Sequence, residues 1–221
     1  MTRKLGLGII WLTLVVYAIV SSQFKTQQGD FKLIIALSTG DWSGVNPIII
    51  GIFMLMGILP VVYGAFILFD SEQKISPYPF FLVSFGVGAF ALLPYLALRS
   101  PDTVWNGEKN WLLKILDSRF TAIVSTVAIA VLLVVSLILG NWSDYVTQWQ
   151  TSQFIHIMSI DFCLLCLLFP SILQDDMQRR GVNLKWFLPV AFVPLFGSLI
   201  YWCVRPQLPE TAIIAESAAS S

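Results

Sequence analysis

The residues best suited to chemistry lie in one run, Ser152-Gln153-Phe154-Ile155-His156-Ile157-Met158-Ser159-Ile160-Asp161, at the start of a long apolar stretch. His156 is the only histidine of the chain, and Asp161 follows it by five residues. On a helix that spacing separates the two by about 7.5 Å along the axis and by about 140° in direction, so they need not touch. A carboxyl group some ten residues into an apolar run must find a partner or a wet cavity, because an unpaired charge at membrane depth costs several kcal/mol. Asp161 is therefore either a proton- or ligand-binding carboxylate facing the interior or a hydrogen-bonding group that fixes helix register. His156 has the chemistry to ligate a haem iron or a chlorophyll magnesium, or to serve as an interfacial hydrogen-bonding residue. With one histidine, bis-histidine haem ligation within the chain is excluded. Ser159, between them, is the third polar candidate.

Other clusters carry weaker signals. Cys163 and Cys166 have the spacing of a redox pair, yet they sit in an apolar interior with no basic neighbour to activate a thiol. Asp175 and Asp176 precede Arg179 and Arg180 at i,i+4 spacing, right for surface ion pairs on a topology-setting turn and poor as a metal cage. Arg99 and Arg205 end apolar stretches and are expected to snorkel to lipid headgroups. No phosphate-binding glycine loop, zinc-protease motif or nucleophile elbow is present, so no catalytic residue and no metal ligand is assigned.

The elements that must position these residues are apolar helices. The chain is 57% hydrophobic and only 12% charged, with zero formal charge, and its mean hydropathy is +0.78; soluble domains carry about 25% charged residues. Six stretches, residues 5–22, 46–69, 78–98, 120–140, 152–173 and 186–204, approach the roughly 20 residues that cross a bilayer. The expected fold is all-α, a polytopic membrane protein with six transmembrane helices, and membrane lipid is its main partner. No basic block suggests nucleic acid. The basic start before residues 5–22 could belong to a signal peptide, but the run carries Trp11 and Tyr17 and lacks a clean cleavage site, so it is read as a retained span. Residues 31–37 are too short to cross and read as an amphipathic piece lying flat at the interface.

Sliding the chain against itself by 106 residues places Asp70 on Asp176, Lys74 on Arg180, Phe80 on Trp186, Tyr95 on Tyr201 and Arg99 on Arg205. Gly40-Asp41-Trp42-Ser43 also finds Gly140-Asn141-Trp142-Ser143, at a shift of 100. These matches predict a duplication: residues 1–115 and 116–209 as two three-helix repeats, with 210–221 as a flexible tail. Three crossings per copy reverse direction, so the expected arrangement is an inverted 3+3 repeat with the pseudo-twofold axis in the membrane plane. In that topology residues 23–45, 99–119 and 174–185 share one face, which holds most Lys and Arg, and the positive-inside rule puts both termini on the opposite, non-cytoplasmic side. Arg99, Arg205, Asp176, Arg180 and Trp142 then serve as topology and interface anchors.

The Gly140–Trp142 loop, Asp161, Arg179-Arg180-Gly181, Trp186 and the closing Tyr201, Arg205 and Pro206 together resemble a family of uncharacterised small polytopic membrane proteins from cyanobacteria and chloroplasts. The resemblance covers about the C-terminal third; the first half departs from it, with Leu55 where Asp161 would align. It implies a photosynthetic setting, in a thylakoid or a bacterial inner membrane, and supplies no reaction. Three functions follow as expectations. The first is a non-catalytic accessory or assembly protein of an energy-transducing membrane, packing against lipid, pigment or other membrane subunits. The second is a small secondary transporter or carrier with a site near Asp161. The third is a membrane enzyme acting on a lipid or isoprenoid, with His156 and Asp161 as its acid/base pair.

Overall fold

The computed structural model describes residues 2–71 and 73–211, so most of the expected tail lies outside the described residues. Among these residues the regular structure is helical, with isolated bridges and no strand. Four segments are long and apolar enough to cross a membrane: Arg3–Ser21, Pro47–Ile67, Arg119–Leu139 and Gln153–Arg179. The protein is a helical membrane protein.

Local chemistry sets the helix ends. α1 is Thr2–Ser21 and α2 is Asp30–Thr39, which covers the short amphipathic piece read from residues 31–37. α3, Pro47–Ile67, starts with proline at its first turn, where no N–H is needed, and the Asn46 side chain accepts from the Ile48 N–H at 3.0 Å. Asn110, Ser118, Asn141 and Ser152 cap α6 (Trp111–Leu116), α7 (Arg119–Leu139), α8 (Trp142–Thr151) and α9 (Gln153–Leu168) in the same way. α9 runs into α10, Pro170–Arg179, through Phe169, which keeps helical angles. α8 was legible only as a loop; its Trp142, Tyr145 and Trp149 alternate with polar residues on a second amphipathic helix.

The third and sixth apolar stretches do not form single membrane-length helices. α4 (Pro77–Val87) and α5 (Ala89–Leu98) are separated by Gly88, whose φ of 51° and ψ of −124° lie where only glycine is comfortable. The chain reverses there: Phe80 of α4 packs on Tyr95 of α5 at 5.6 Å, Asn110 donates to the Tyr78 hydroxyl at 3.1 Å, and Arg99 bonds Asp70. Both ends of this hairpin therefore meet the end of α3 that they left. The sixth stretch repeats the reversal with α11 (Phe187–Ala191) and α12 (Phe196–Val204). Its tip is a γ-turn, in which the Phe196 N–H bonds the Pro194 carbonyl at 2.7 Å across Leu195 at φ 63°, the one non-glycine residue with positive φ among those described. Gly197 lies so close to Val190 that a Cβ would sit 2.0 Å from its carbonyl oxygen, and Arg180 bonds Pro206 at 2.6 Å at the open end.

These reversals leave four membrane-length helices where six were expected. Arg3 reaches Asp175 at 3.4 Å at one end of the bundle, and Gln153 reaches the Ala18 carbonyl at 3.0 Å at the other, so α1 is antiparallel to α9 and α10. α3 starts beside Asn141, its Asn46 donating to that carbonyl at 2.7 Å, and ends at Asp70. Asp70, Arg99, Asp176 and Arg205 all lie at one end, with both described termini; an odd number of crossings per half would have put them at opposite ends. The reason is local: a glycine and a γ-turn let two apolar segments turn back that composition alone reads as spans. The Gly-x-Trp-Ser loops are also not equivalent, since Gly40 follows α2 whereas Gly140 precedes α8.

α3 and the α9–α10 segment form the centre, with 56% and 50% of their most apolar windows buried, against 17% for α1 and α7. Outward-facing Phe120, Val127, Val131 and Ile138 on α7, and Leu5, Ile9, Leu12 and Ile19 on α1, suit a lipid environment. At the centre Tyr63 stacks on Phe169 at 4.3 Å and donates to the Leu165 carbonyl at 2.5 Å, satisfying its hydroxyl away from water.

Candidate functional site

Asp161, 3% exposed, sits halfway along the bundle against the tip of the first hairpin. Its Oδ1 accepts the Ala89 N–H at 2.7 Å, capping the first turn of α5, where the orphan donors and the partial positive charge of the helix end favour a carboxylate. Gly88 makes this approach available, because a Cβ there would lie 2.1 Å from Asp161 Oδ2 and 2.6 Å from Met56 Cε. The Gly88→Ala substitution combines that overlap with an unfavourable φ and is expected to destabilise the protein by about 2–5 kcal/mol. A drop in melting temperature of the detergent-solubilised protein checks this, and an unchanged melting curve would refute the tight fit.

A cavity of about 400 Å³ opens beside Asp161. α9 contributes one face to it, Gln153, Phe154, Ile157, Met158 and Asp161, at i, i+1, i+4, i+5 and i+8 spacing. α3 contributes Phe53, Met56 and Gly57, and the hairpin tip contributes Phe85 through Gly88 and Phe90. Apart from Asp161 and Gln153 these side chains are apolar. Asp161 Oδ2 has no hydrogen-bond partner among the described residues, so the carboxyl group retains acceptor capacity beside the cavity.

The other sequence candidates are placed elsewhere. His156 Nε2 lies 2.7 Å from the Tyr17 hydroxyl and Nδ1 lies 3.0 Å from the Trp149 carbonyl, with the Trp149 ring 4.4 Å away. Both ring nitrogens are thus engaged in joining α1, α8 and α9, and no hydrogen bond links His156 to Asp161. Ser159 accepts from Tyr145 at 2.9 Å and donates to the Ile155 carbonyl at 2.6 Å, fastening α8 to α9. Trp142 is about half exposed at the start of α8, edge-on to Tyr145 at 6.0 Å, as an interface anchor would be. Cys163 and Cys166 are free thiols on α9. Among the described residues no three His, Cys, Asp or Glu side chains are grouped to hold a metal ion.

Arg99, Arg205, Asp176 and Arg180 do not snorkel or face solvent; they are buried together. Asp70 accepts from Tyr95 at 2.6 Å and from Arg99 through two nitrogens at 2.7 Å, and Arg179 adds a third guanidinium contact at 2.7 Å. Asp176 accepts from Tyr201 and Arg205 at 2.9 Å and from Arg180 at 3.1 Å. The two Asp-Tyr-Arg sets share sequence separations of 25 and 29 residues. Cross-links join them: Arg99 bonds Asp175 at 2.6 Å, Arg179 bonds Asp70, and Arg205 bonds the Ala65 carbonyl at 2.8 Å, while Arg180 also pairs with Asp117 at 2.7 Å on the second set's side. Arg205 also lies over Phe66 at 4.7 Å and Arg180 over Phe69 at 5.3 Å.

Burial alone lowers the Arg99 pKa, but hydrogen bonds and charge from Asp70, then Asp175, outweigh it and raise the group above its ordinary value. The same balance, with Asp176 and Asp117 as the anions, raises Arg180. A cation whose folded pKa is raised stabilises the fold at every pH below its unfolded value, so both contributions persist until pH climbs beyond the arginine range.

Sequence reasoning found Asp161 but missed Gln153, Gly88 and Ala89 as its surroundings. The pair Gly86 and Gly88 inside an apolar stretch was the one available signal, and it reads equally as helix-packing glycine. Compared with protein-family models, curated proteins and solved structures, the chain matches none.

Proposed function

We propose that this chain is a non-catalytic membrane binding protein or carrier that holds a small, largely apolar molecule between α3, α9 and the first hairpin tip. The observation that carries this reading is the cavity that ends at Asp161. Its volume of about 400 Å³ falls among small-molecule sites, and its apolar walls with a few polar groups have the usual composition of one. Gly57 provides the test, because it lines the cavity and a Cβ built there meets no atom within 4 Å, so a larger side chain has room to start into the space. Native mass spectrometry of protein purified from its own membrane is expected to find a bound small molecule, and the Gly57→Phe variant, accumulating normally, is expected to lack it. Equal occupancy, or none in either, would sink the proposal.

The accessory or assembly reading is favoured by a different observation: His156, Ser159 and the buried ion pairs all tie helices of this chain together, as a rigid scaffold requires. The photosynthetic setting rests on the family resemblance, and membrane fractionation tests it.

In this reading α1, α3, α7 and α9–α10 are four crossings, and α4–α5 and α11–α12 are re-entrant hairpins. The chain becomes two copies of span, interfacial helix, span and hairpin, supported by the matching Asp-Tyr-Arg sets. Two crossings per copy preserve direction, so the copies are parallel and their pseudo-twofold axis follows the membrane normal. Of the 13 Lys and Arg, only Lys25 and Lys32 lie at the end away from Asp70. Leaving aside the four buried arginines does not alter that bias, so the positive-inside rule now places the Asp70 end and both termini on the cytoplasmic or stromal side. A reporter fused after Ser221 is expected to be active in its cytoplasmic form; activity only in the translocated form would reverse the orientation.

A further inference from the structure

The two hairpins differ between their arms. In the first, the Phe80 ring packs on Tyr95 at 5.6 Å, between α4 and α5. Trp186 and Tyr201 hold the corresponding positions of the second, 106 residues on, but Tyr201 stacks on Phe66 at 6.2 Å and Trp186 is 54% exposed. A cavity of about 560 Å³ lies there, bordered by Trp186, by Val190 of α11 and by Gly197, Ile200, Tyr201 and Val204 on one face of α12. Its walls close at the tip, where Gly197 meets Val190, and it reaches Trp186 and Pro206 at the open end of the hairpin. Tyr201 and Arg205 border it too, but their polar atoms are bonded to Asp176, so what they offer the cavity is apolar. From Gly197 to Arg205 it follows about 12 Å of helix, close to the roughly 15 Å of one hydrocarbon leaflet. Lys185 flanks the open end: its Nζ stands 5.8 Å from the Trp186 ring centre, and it forms no ion pair among the described residues.

Resting on the re-entrant placement of α11–α12 above, we infer that this cleft seats one acyl chain of an anionic phospholipid, whose phosphate pairs with the Lys185 ammonium. Lining atoms that face a void lose their dispersion contacts, and in a bilayer the nearest filler is a lipid tail, as apolar as leucine. A helix from another subunit, about 10–12 Å across, cannot enter a wedge whose walls meet at Gly197 and Val190, whereas a single hydrocarbon chain can. The head group is set by charge. An exposed ammonium beside a tryptophan at the open end lies where the bilayer turns polar, and it attracts a net negative head; a zwitterionic head would bring its own ammonium towards Lys185. The first hairpin, with Phe80 on Tyr95 and Pro79 where Lys185 would align, has neither the space nor the cation.

The test uses the full chain in nanodiscs of equal phosphatidylglycerol and phosphatidylcholine with identical acyl chains, extracted in mild detergent and weighed by native mass spectrometry. The parent is expected to retain one phospholipid and to favour phosphatidylglycerol about fivefold, the effect of one lysine at an anionic head. Lys185→Gln, a change at an exposed side chain, should keep the lipid but lose the preference. Val190→Phe should lose the lipid of either head, and Gly57→Phe, in the other cavity, should change nothing here. Excess glycerol 3-phosphate, the anion without its chains, should not displace the lipid. A parent that retains no lipid, as when a second copy covers the cleft, overturns the inference, as does retention that survives Val190→Phe or is displaced by glycerol 3-phosphate. A preference that is absent, or that survives Lys185→Gln, overturns the pairing with Lys185. Phe192→Cys, combined with Cys163→Ala, Cys166→Ala and Cys203→Ala, reads the hairpin's placement separately. If a charged methanethiosulfonate fails to label it in the nanodisc, the hairpin is in the membrane and lost retention sinks the lipid assignment alone; if it labels freely, the re-entrant reading fails as well.

Discussion

Asp176→Ala is expected to lower the stability of the protein by about 3–5 kcal/mol, the typical result of removing one partner from a buried ion pair. The substitution would leave Arg180 and Arg205 with Asp117 as the one carboxylate between them, at 2.7 and 3.6 Å, and would take the acceptor from the Tyr201 hydroxyl. Asp70→Ala should cost at least as much, since Arg99 and Arg179 both bond that carboxylate. By contrast, Glu210→Ala should change little, because the Lys114–Glu210 pair at 3.0 Å is largely exposed and such pairs contribute about 0–1 kcal/mol. The loss comes from a stranded charge rather than from missing attraction, so Asp176→Leu combined with Arg205→Met should recover part of it. Melting temperatures of the four variants in one detergent provide the measurement. A tolerated Asp176→Ala would mean that water reaches this cluster and that it does not hold the two halves together.

The membrane class was legible because hydropathy is additive along the chain and needs no tertiary knowledge, and four of six apolar stretches became full-length helices. The residues that the 106-residue offset aligned, Asp70, Tyr95 and Arg99 with Asp176, Tyr201 and Arg205, hydrogen-bond to one another within each set, at the same sequence separations. What the offset could not carry was direction. Whether an apolar run of about twenty residues crosses or turns back depends on backbone angles at one or two residues, here Gly88 and Leu195, and neither leaves a mark on hydropathy. That single ambiguity set the expected number of membrane-length helices, six where four form. The arginines were misplaced for a related reason, since snorkelling assumes that no anion is at hand, whereas folding both hairpins back delivers Asp70, Asp175, Asp176 and Asp117 to the same place. His156 and Asp161 were seen as residues but not in their contacts, because a helix direction difference says which faces they occupy and not which elements lie opposite.

Asp161→Leu is expected to destroy either accumulation or ligand binding, and the comparison with Asp161→Asn decides what the carboxyl group does. Leucine removes the acceptor for the Ala89 N–H, leaving a buried backbone donor unpaired at a cost of about 1–3 kcal/mol, and forces branched carbon against Gly88 and Met56. Asparagine keeps an oxygen able to accept from Ala89 at nearly the same volume, so its stability should lie within about 1 kcal/mol of the parent. If asparagine preserves accumulation and occupancy while leucine destroys accumulation, Asp161 acts as the cap that holds the hairpin tip in place, and the scaffold reading gains. If asparagine accumulates normally but loses ligand or transport, the second oxygen or its charge is used by the bound molecule, as the carrier reading requires. A leucine variant that melts, accumulates and binds like the parent would show that the α5 N-terminus needs no cap and that the cavity has no polar end at Asp161.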